Sequence, residues 1–107
     1  MTWPLLRGQV VRANIGLNEP KLFVVVSNNR RNQNLQQVLA VRLTTTKKPR
    51  IPSIVELVHP EAFVGCAVCD DIVELYQDEV IGSIGALSPR AMREINTGLA
   101  AALGMSD

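Results

Sequence analysis

The side chains with the most chemical potential in this chain cluster in three short polar segments. Gly16-Leu17-Asn18-Glu19-Pro20-Lys21 brings a carboxylate and an ammonium into one turn-rich connection. Thr44-Thr45-Thr46-Lys47-Lys48-Pro49-Arg50 joins hydroxyls to a run of cations. Hydroxyls beside fixed positive charge orient and neutralise phosphoryl oxygens, and an ammonium or carboxylate moves a proton. The same residues also suit plainer roles, Glu19 and Lys21 as a hairpin ion pair and the threonines as strand formers. Asn28-Asn29-Arg30-Arg31-Asn32-Gln33-Asn34 reads as a polar loop whose amides and guanidiniums match the base edges and phosphates of single-stranded RNA. Other chemistries lack their residues, because there is no phosphate loop, dinucleotide fingerprint, nucleophile elbow or H-E-x-x-H. His59 is the only histidine, and it sits in the turn Val58-His59-Pro60-Glu61 as a surface residue. Cys66 and Cys69 form one C-x-x-C with no second pair, which predicts two reduced core cysteines rather than a zinc site. On a strand their spacing sends the two thiols to opposite faces.

Charge is divided unevenly along the chain. Residues 1–50 hold nine of the eleven cations against Glu19 alone, a net of +8, whereas residues 51–107 hold two cations against nine carboxylates, a net of −7. The polarity predicts a basic face that attracts polyanions, unless acids of the second half pair with the cations of the first. With 107 residues, 47% hydrophobic and 20% charged, the chain reads as one folded domain over residues 1–107. Its longest aliphatic or aromatic run, Leu22 to Val26, is too short to cross a bilayer, and Met1 to Arg7 lacks the features of a signal peptide. A cytoplasmic protein without a membrane role is expected.

Short strands and one late helix must position these residues. Residues 9–15 alternate as a half-buried strand, with Val11, Ala13 and Ile15 opposed to Val10, Arg12 and Asn14. Leu22 to Val26 suits a central strand covered on both faces. Over 38–44, Ala40, Arg42 and Thr44 share one face, which sets a cation beside a hydroxyl. Further strands are expected from Pro52 to Val58, Gly65 to Asp70, Val73 to Tyr76 and Val80 to Ile84, a spacing that predicts a small barrel or strongly bent sheet. Ser88 and Pro89 then open a helix whose apolar stripe is Met92, Ile95, Leu99 and Ala102 or Leu103, with Gly104 as its stop. If the first three strands neighbour one another, the two constellations around Glu19 and Thr44 reach one groove.

Arg7-Gly8-Gln9-Val10-Val11, Lys21 through Asn28, and Val41-Arg42-Leu43-Thr44 resemble the MazF/PemK family of toxins from toxin–antitoxin pairs. The likeness continues through Pro52 to Leu57, Cys69-Asp70-Asp71-Ile72 and Ile84 to Pro89, in the family's order and over nearly the whole chain. The resemblance implies a mainly β, SH3-like small barrel with a C-terminal helix, acting as a homodimer that cuts single-stranded RNA at short sequences and is silenced by a cognate antitoxin. It implies no metal and no cofactor, since the ribose 2′-hydroxyl is the nucleophile and the products are a 2′,3′-cyclic phosphate and a 5′-hydroxyl.

Carried onto this chain, the family's threonine falls on Thr44 and its arginine before the second strand falls on Lys21, in a connection shorter than usual. Lysine keeps the charge and loses the two-pronged grip on phosphate, yet it releases a proton more readily than arginine. Lys21 and Thr44 are therefore the catalytic candidates, Glu19 is a base or an RNA contact, and Asn18, Asn28, Thr45, Lys47, Lys48 and Asp71 are RNA contacts. Two other readings use the same fold, a toxin that poisons DNA gyrase without chemistry and a weakly active RNA-binding module. The gyrase poisons end their last helix on Trp-Gly-Ile, whereas this chain ends Leu103-Gly104-Met105-Ser106-Asp107 and has its only tryptophan at Trp3.

Overall fold

The computed structural model describes residues 2–16 and 18–105. Leu17 of the first polar constellation, and Met1, Ser106 and Asp107 at the termini, lie outside the described residues. The strands are β1 (Gln9–Ala13), β2 (Lys21–Val25), β3 (Gln37–Thr44), β4 (Ile54–Leu57), β5 (Gly65–Tyr76) and β6 (Val80–Ala86). Helix α1 (Asn29–Asn34) follows β2, and helix α2 (Pro89–Ala102) follows β6. All strand pairs are antiparallel, in the order β4-β5-β3-β2-β1-β6. The end strands β4 and β6 do not pair with each other, so the sheet is strongly bent but not closed, consistent with the small barrel or bent sheet expected.

The bend has an identifiable origin. Val41 and Arg42 are adjacent on β3, yet their partners on β5 are Ile72 and Val68, so Cys69, Asp70 and Asp71 bulge out of register. Extra residues in one strand of an antiparallel pair force it to kink and twist. The two strand segments expected at Gly65–Asp70 and Val73–Tyr76 are thus one twelve-residue strand folded at this bulge.

Bending gives the sheet two buried faces. On one, Val10, Val24, Val41, Leu43, Leu57 and Ala67 pack beneath Ala91, Met92 and Ile95 of α2. On the other, Leu5, Val11, Ala13, Phe23, Val25, Val38, Ala40 and Leu75 pack together inside the curl. β2 is covered on both sides, as its apolar run predicts. The half-buried reading of the first strand is corrected: Val10 and Val11 are both fully buried, because α2 covers the face that alternation assigned to solvent.

α2 begins at Ser88, whose hydroxyl accepts a hydrogen bond from the Ala91 N–H, with Pro89 at the first helical position. Its buried stripe is Ala91, Met92, Ile95 and Gly98, flanked by Leu99 and Ala102, while Leu103 points out at 60% exposure. Full burial of a side chain such as Ile95 contributes about 1.5–3 kcal/mol. The segment expected as a polar loop is α1 instead. The Asn28 side chain accepts from the Arg31 N–H as N-cap, and buried Asn32 binds the Ser27 hydroxyl and the Leu5 and Ser27 carbonyls.

Candidate functional site

Strand register brings together the two residues singled out for catalysis. Leu22 on β2 faces Leu43 on β3, so the next step outward sets Lys21 beside Thr44. On its other side Thr44 faces Cys66 of β5, which faces Glu56 of β4. Directly opposed residues in an antiparallel sheet hold their Cβ atoms about 4.5–5.5 Å apart. Glu56, Cys66, Thr44 and Lys21 therefore form one lateral row. The row lies on the face that carries Phe23 and Ala40 deeper in the sheet, where the core gives way to open surface. The Thr44 hydroxyl accepts from the Thr46 N–H at 3.1 Å, which turns the chain into the basic loop. Gly65 closes against this strand with φ +148°, and a Cβ there would stand 2.5 Å from the Thr44 carbonyl oxygen.

Lys21 Nζ donates to Glu19 Oε1 at 2.9 Å, the hairpin ion pair foreseen as one reading of the segment. This hydrogen bond, followed by the lysine's charge, holds the Glu19 carboxyl below its usual range. The lysine side chain is 26% exposed and the glutamate 73%, so the pair lies at a solvent boundary and contributes little to stability.

Beside the row lies a groove of about 530 Å³, lined by Thr45, Lys47, Lys48 and Arg50 from the β3–β4 loop above Glu56 and Cys66. The loop cations are exposed. Among the described residues the one ion pair is Lys21 with Glu19, so the eight described side-chain carboxylates of the second half do not neutralise this surface through close contacts. Two other arginines are committed to the fold. Arg7 donates to the Val26 carbonyl and the Asn96 side chain, and Arg31 donates to the carbonyl and side chain of Gln37.

The remaining predicted contacts separate. Asn18 is exposed in the β1–β2 connection close to Lys21 in sequence. Asp71 is exposed in the β5 bulge, beside Asp70, which accepts from the Ser53 hydroxyl at 2.6 Å. Asn28 lies past the opposite end of β2 from Lys21, with its side chain occupied as the α1 cap. The structure does not bring it to the Thr44 row. Glu56 and Cys66 on the groove floor received no role from sequence, because the pairing of β4 and β5 with β3 spans residues far apart in the chain.

Cys66 is half-buried and Cys69 fully buried, both as free thiols. Burial, with a smaller contribution from Asp70, pushes the Cys69 thiol up to about 11 and leaves it protonated at neutral pH. His59 is exposed in its turn. Trp3 packs on the core cluster around Phe23, whereas Leu99 and Ala102 near the end of α2 pack on the other cluster. Among the described residues no group of three metal-ligating side chains gathers, and no helix is long and apolar enough to cross a membrane.

A bent antiparallel sheet braced by one C-terminal helix, with a cation–hydroxyl pair beside a basic groove, defines a small β-fold built to face a polyanion. Residues 6–103 match the profile of the PemK-like, MazF-like toxin of type II toxin-antitoxin system, and the chain belongs to that family. It is 42% identical over 100 residues to endoribonuclease MazF1 of Mycobacterium bovis, covering 94% of this chain and 93% of the relative. The same identity and coverage relate it to endoribonuclease MazF4 of Mycobacterium tuberculosis. A solved mycobacterial endoribonuclease in complex with its cognate antitoxin superimposes with a TM-score of 0.90 at 40% identity, over 97% of this chain and 99% of that one.

Proposed function

We propose that this protein is the toxin of a toxin–antitoxin pair and a metal-independent endoribonuclease that cleaves single-stranded RNA at short sequences. It acts in the cytoplasm as a homodimer and is neutralised by a cognate antitoxin. The observation that carries the reading is the register that sets Lys21 beside Thr44, next in the chain to a loop whose cations Lys47, Lys48 and Arg50 line a groove and form no ion pair among the described residues.

The chemistry follows from these groups. The groove cations Lys47, Lys48 and Arg50 hold the RNA backbone through its phosphates. Thr44 donates to a non-bridging oxygen of the scissile phosphate and fixes it for in-line attack. The 2′-oxygen forms its bond to phosphorus as the bond to the 5′-oxygen breaks, which leaves a 2′,3′-cyclic phosphate and a 5′-hydroxyl. Lys21 stabilises the developing charge and passes a proton to the departing 5′-oxygen. In the free protein Glu19 orients this ammonium; once phosphate displaces it, the carboxylate is the nearest group to take the 2′-hydroxyl proton. Asn18, Thr45 and Asp71 contribute to RNA contact from the rim, whereas Asn28 acts through the capping of α1.

Purified protein incubated with total RNA in the presence of a chelator tests the proposal. Cleavage at a recurring short sequence, with cyclic-phosphate and 5′-hydroxyl ends, is the expected result. RNA that stays intact, or cleavage that requires added metal, rejects it.

A further inference from the structure

β4 ends the sheet, so only one of its edges is paired. Alternate residues of an antiparallel strand aim their N–H and C=O groups at the same neighbour, and the residues between aim theirs away. The Cys69 N–H donates to the Ser53 carbonyl, which turns Ser53, Val55 and Leu57 toward β5, with Val55 opposite Ala67 and Leu57 opposite Gly65. Ile54, Glu56 and Val58, the last one residue past the strand, therefore aim outward. Two of their groups are used locally: the Ile54 N–H donates to the Ile51 carbonyl, and the Val58 carbonyl accepts from the Glu61 N–H. The Ile54 carbonyl, both groups of Glu56 and the Val58 N–H have no backbone partner among the described residues. A row of open donors and acceptors of this kind is a template for an added strand.

This edge runs between two cavities. On one face lies the basic groove of about 530 Å³, where Lys47, Lys48 and Arg50 accompany Ile51, Val58 and Val64, three aliphatic side chains about half exposed. On the other, against α2, is a cavity of about 200 Å³ that Arg90 and Glu94 help to line. Glu56, Leu57 and Val58 border both. Side chains of an added strand alternate between its two faces, so one set enters each cavity. A nucleic-acid backbone uses the cations alone, whereas an extended peptide uses the cations, the aliphatic surface and the open backbone groups together. Charge then selects the peptide. In the groove three cations stand against Glu56, which favours carboxylates mixed with apolar residues. In the smaller cavity Glu56, Glu61 and Glu94 outnumber Arg90, which disfavours them.

We propose that the antitoxin silences this protein by adding an extended, acidic segment to the outer edge of β4, its alternate side chains seated in the groove and in the cavity against α2. The proposal rests on the toxin–antitoxin reading. Carboxylates of the added strand take the places of RNA phosphates on Lys47, Lys48 and Arg50, so strand addition and RNA binding exclude one another.

Amide hydrogen exchange on the parent chain tests this, free and in the complex purified after co-expression with the product of its adjoining gene as the antitoxin. In the free protein Val55 and Leu57 should exchange slowly and Glu56 and Val58 fast, and in the complex the second pair should slow about tenfold or more. A saturating single-stranded oligodeoxynucleotide, which lacks the attacking hydroxyl, should leave that pair fast; slowing by it would assign the edge to nucleic acid and overturn the proposal. Two variants, with folding checked by thermal unfolding, separate backbone from side chain. Glu56→Pro removes an outward N–H without touching the ladder to β5, and it should bind the antitoxin about tenfold or more weakly. Glu56→Gln keeps the N–H and should bind at least as tightly as the parent. Cleavage silenced by the antitoxin while Glu56 and Val58 still exchange fast overturns strand addition and leaves the toxin reading standing. Parental affinity in Glu56→Pro, or an equal loss in Glu56→Gln, does the same. A parent protein that cuts no RNA and binds no antitoxin overturns both.

Discussion

In the proposed mechanism Lys21 takes the part that arginine plays in the family pattern, and its surroundings suit that part. Its hydrogen bond to Glu19 holds the ammonium at the solvent boundary without burying it, and the register of β2 on β3 sets Thr44 across the strand pair. Lys21→Ala should therefore slow cleavage about a hundredfold or more, as for loss of a general acid or charge-stabilising donor. Lys21→Arg should restore charge without restoring rate, because a guanidinium is a poor proton donor. Thr44→Val should lower the rate at saturating RNA while leaving the unfolding midpoint close to that of the parent. Single-turnover kinetics on a mapped substrate check all three, and full activity in Lys21→Ala would remove the lysine from the mechanism.

Among the elements, α2 depends most on individual contacts. Glu61, from the turn before β5, accepts both the backbone N–H of Ser88 at 2.9 Å and its hydroxyl at 2.5 Å, which clamps a carboxylate to the start of the helix. The Ser88 hydroxyl, then its backbone N–H, hold the Glu61 carboxyl below its ordinary value of 4.5. With the folded value depressed, the clamp contributes fully above that ordinary value and is lost as pH falls through the lower folded one. Glu61→Gln should accordingly be less stable than the parent at neutral pH, and the gap in urea midpoints should close as pH falls below the ordinary carboxyl value. A gap independent of pH would mean that the charge of Glu61 is irrelevant.

Gly98, on the buried stripe of the same helix, is a second sensitive point. A Cβ there would meet Cys69 Sγ and Val55 Cγ2 at 2.8 Å each. Overpacking costs about 1–3 kcal/mol, and alanine's better helix propensity returns up to about 1 kcal/mol. Gly98→Ala should lower stability on balance, and an unchanged or raised urea midpoint would show that α2 can lift off β4 and β5 without cost.

For the whole molecule the dominant feature is the exposed cations of the loop after β3, which form no ion pair among the described residues. The basic loop after β3 lines the groove, and its cations are predicted to meet phosphates rather than base edges. Replacing Lys47 and Lys48 together with alanine should weaken RNA binding at every sequence and reduce the dependence of binding on salt. An unaltered salt slope would exclude the loop from the interface. A single sheet of this size offers limited surface for several nucleotides, and a two-fold pair would extend it. Light scattering at micromolar concentration should report about twice the 11.7 kDa chain mass. Active protein at the single-chain mass would contradict the dimer.

Local physics made much of this molecule legible in its sequence. Ser88 and Pro89 mark the start of α2, Leu22 to Val26 mark a strand covered on both faces, and alternation along β3 pairs Arg42 with Thr44, because caps, β-branched runs and a period of two act over a few residues. Family likeness singled out Lys21 and Thr44 as candidates for one reaction. Only tertiary structure decided what long-range pairing controls. The burial of Val10 came from a helix some eighty residues later, and the fold in β5 came from a register offset against β3. Asn28 became a cap because the segment after it closes into a helix held by Asn32, which a count of polar residues does not reveal. The unpaired Nε of Arg42 likewise depends on Phe23 and Val68 meeting it from two other strands, since a donor's want of a partner is a property of everything packed around it.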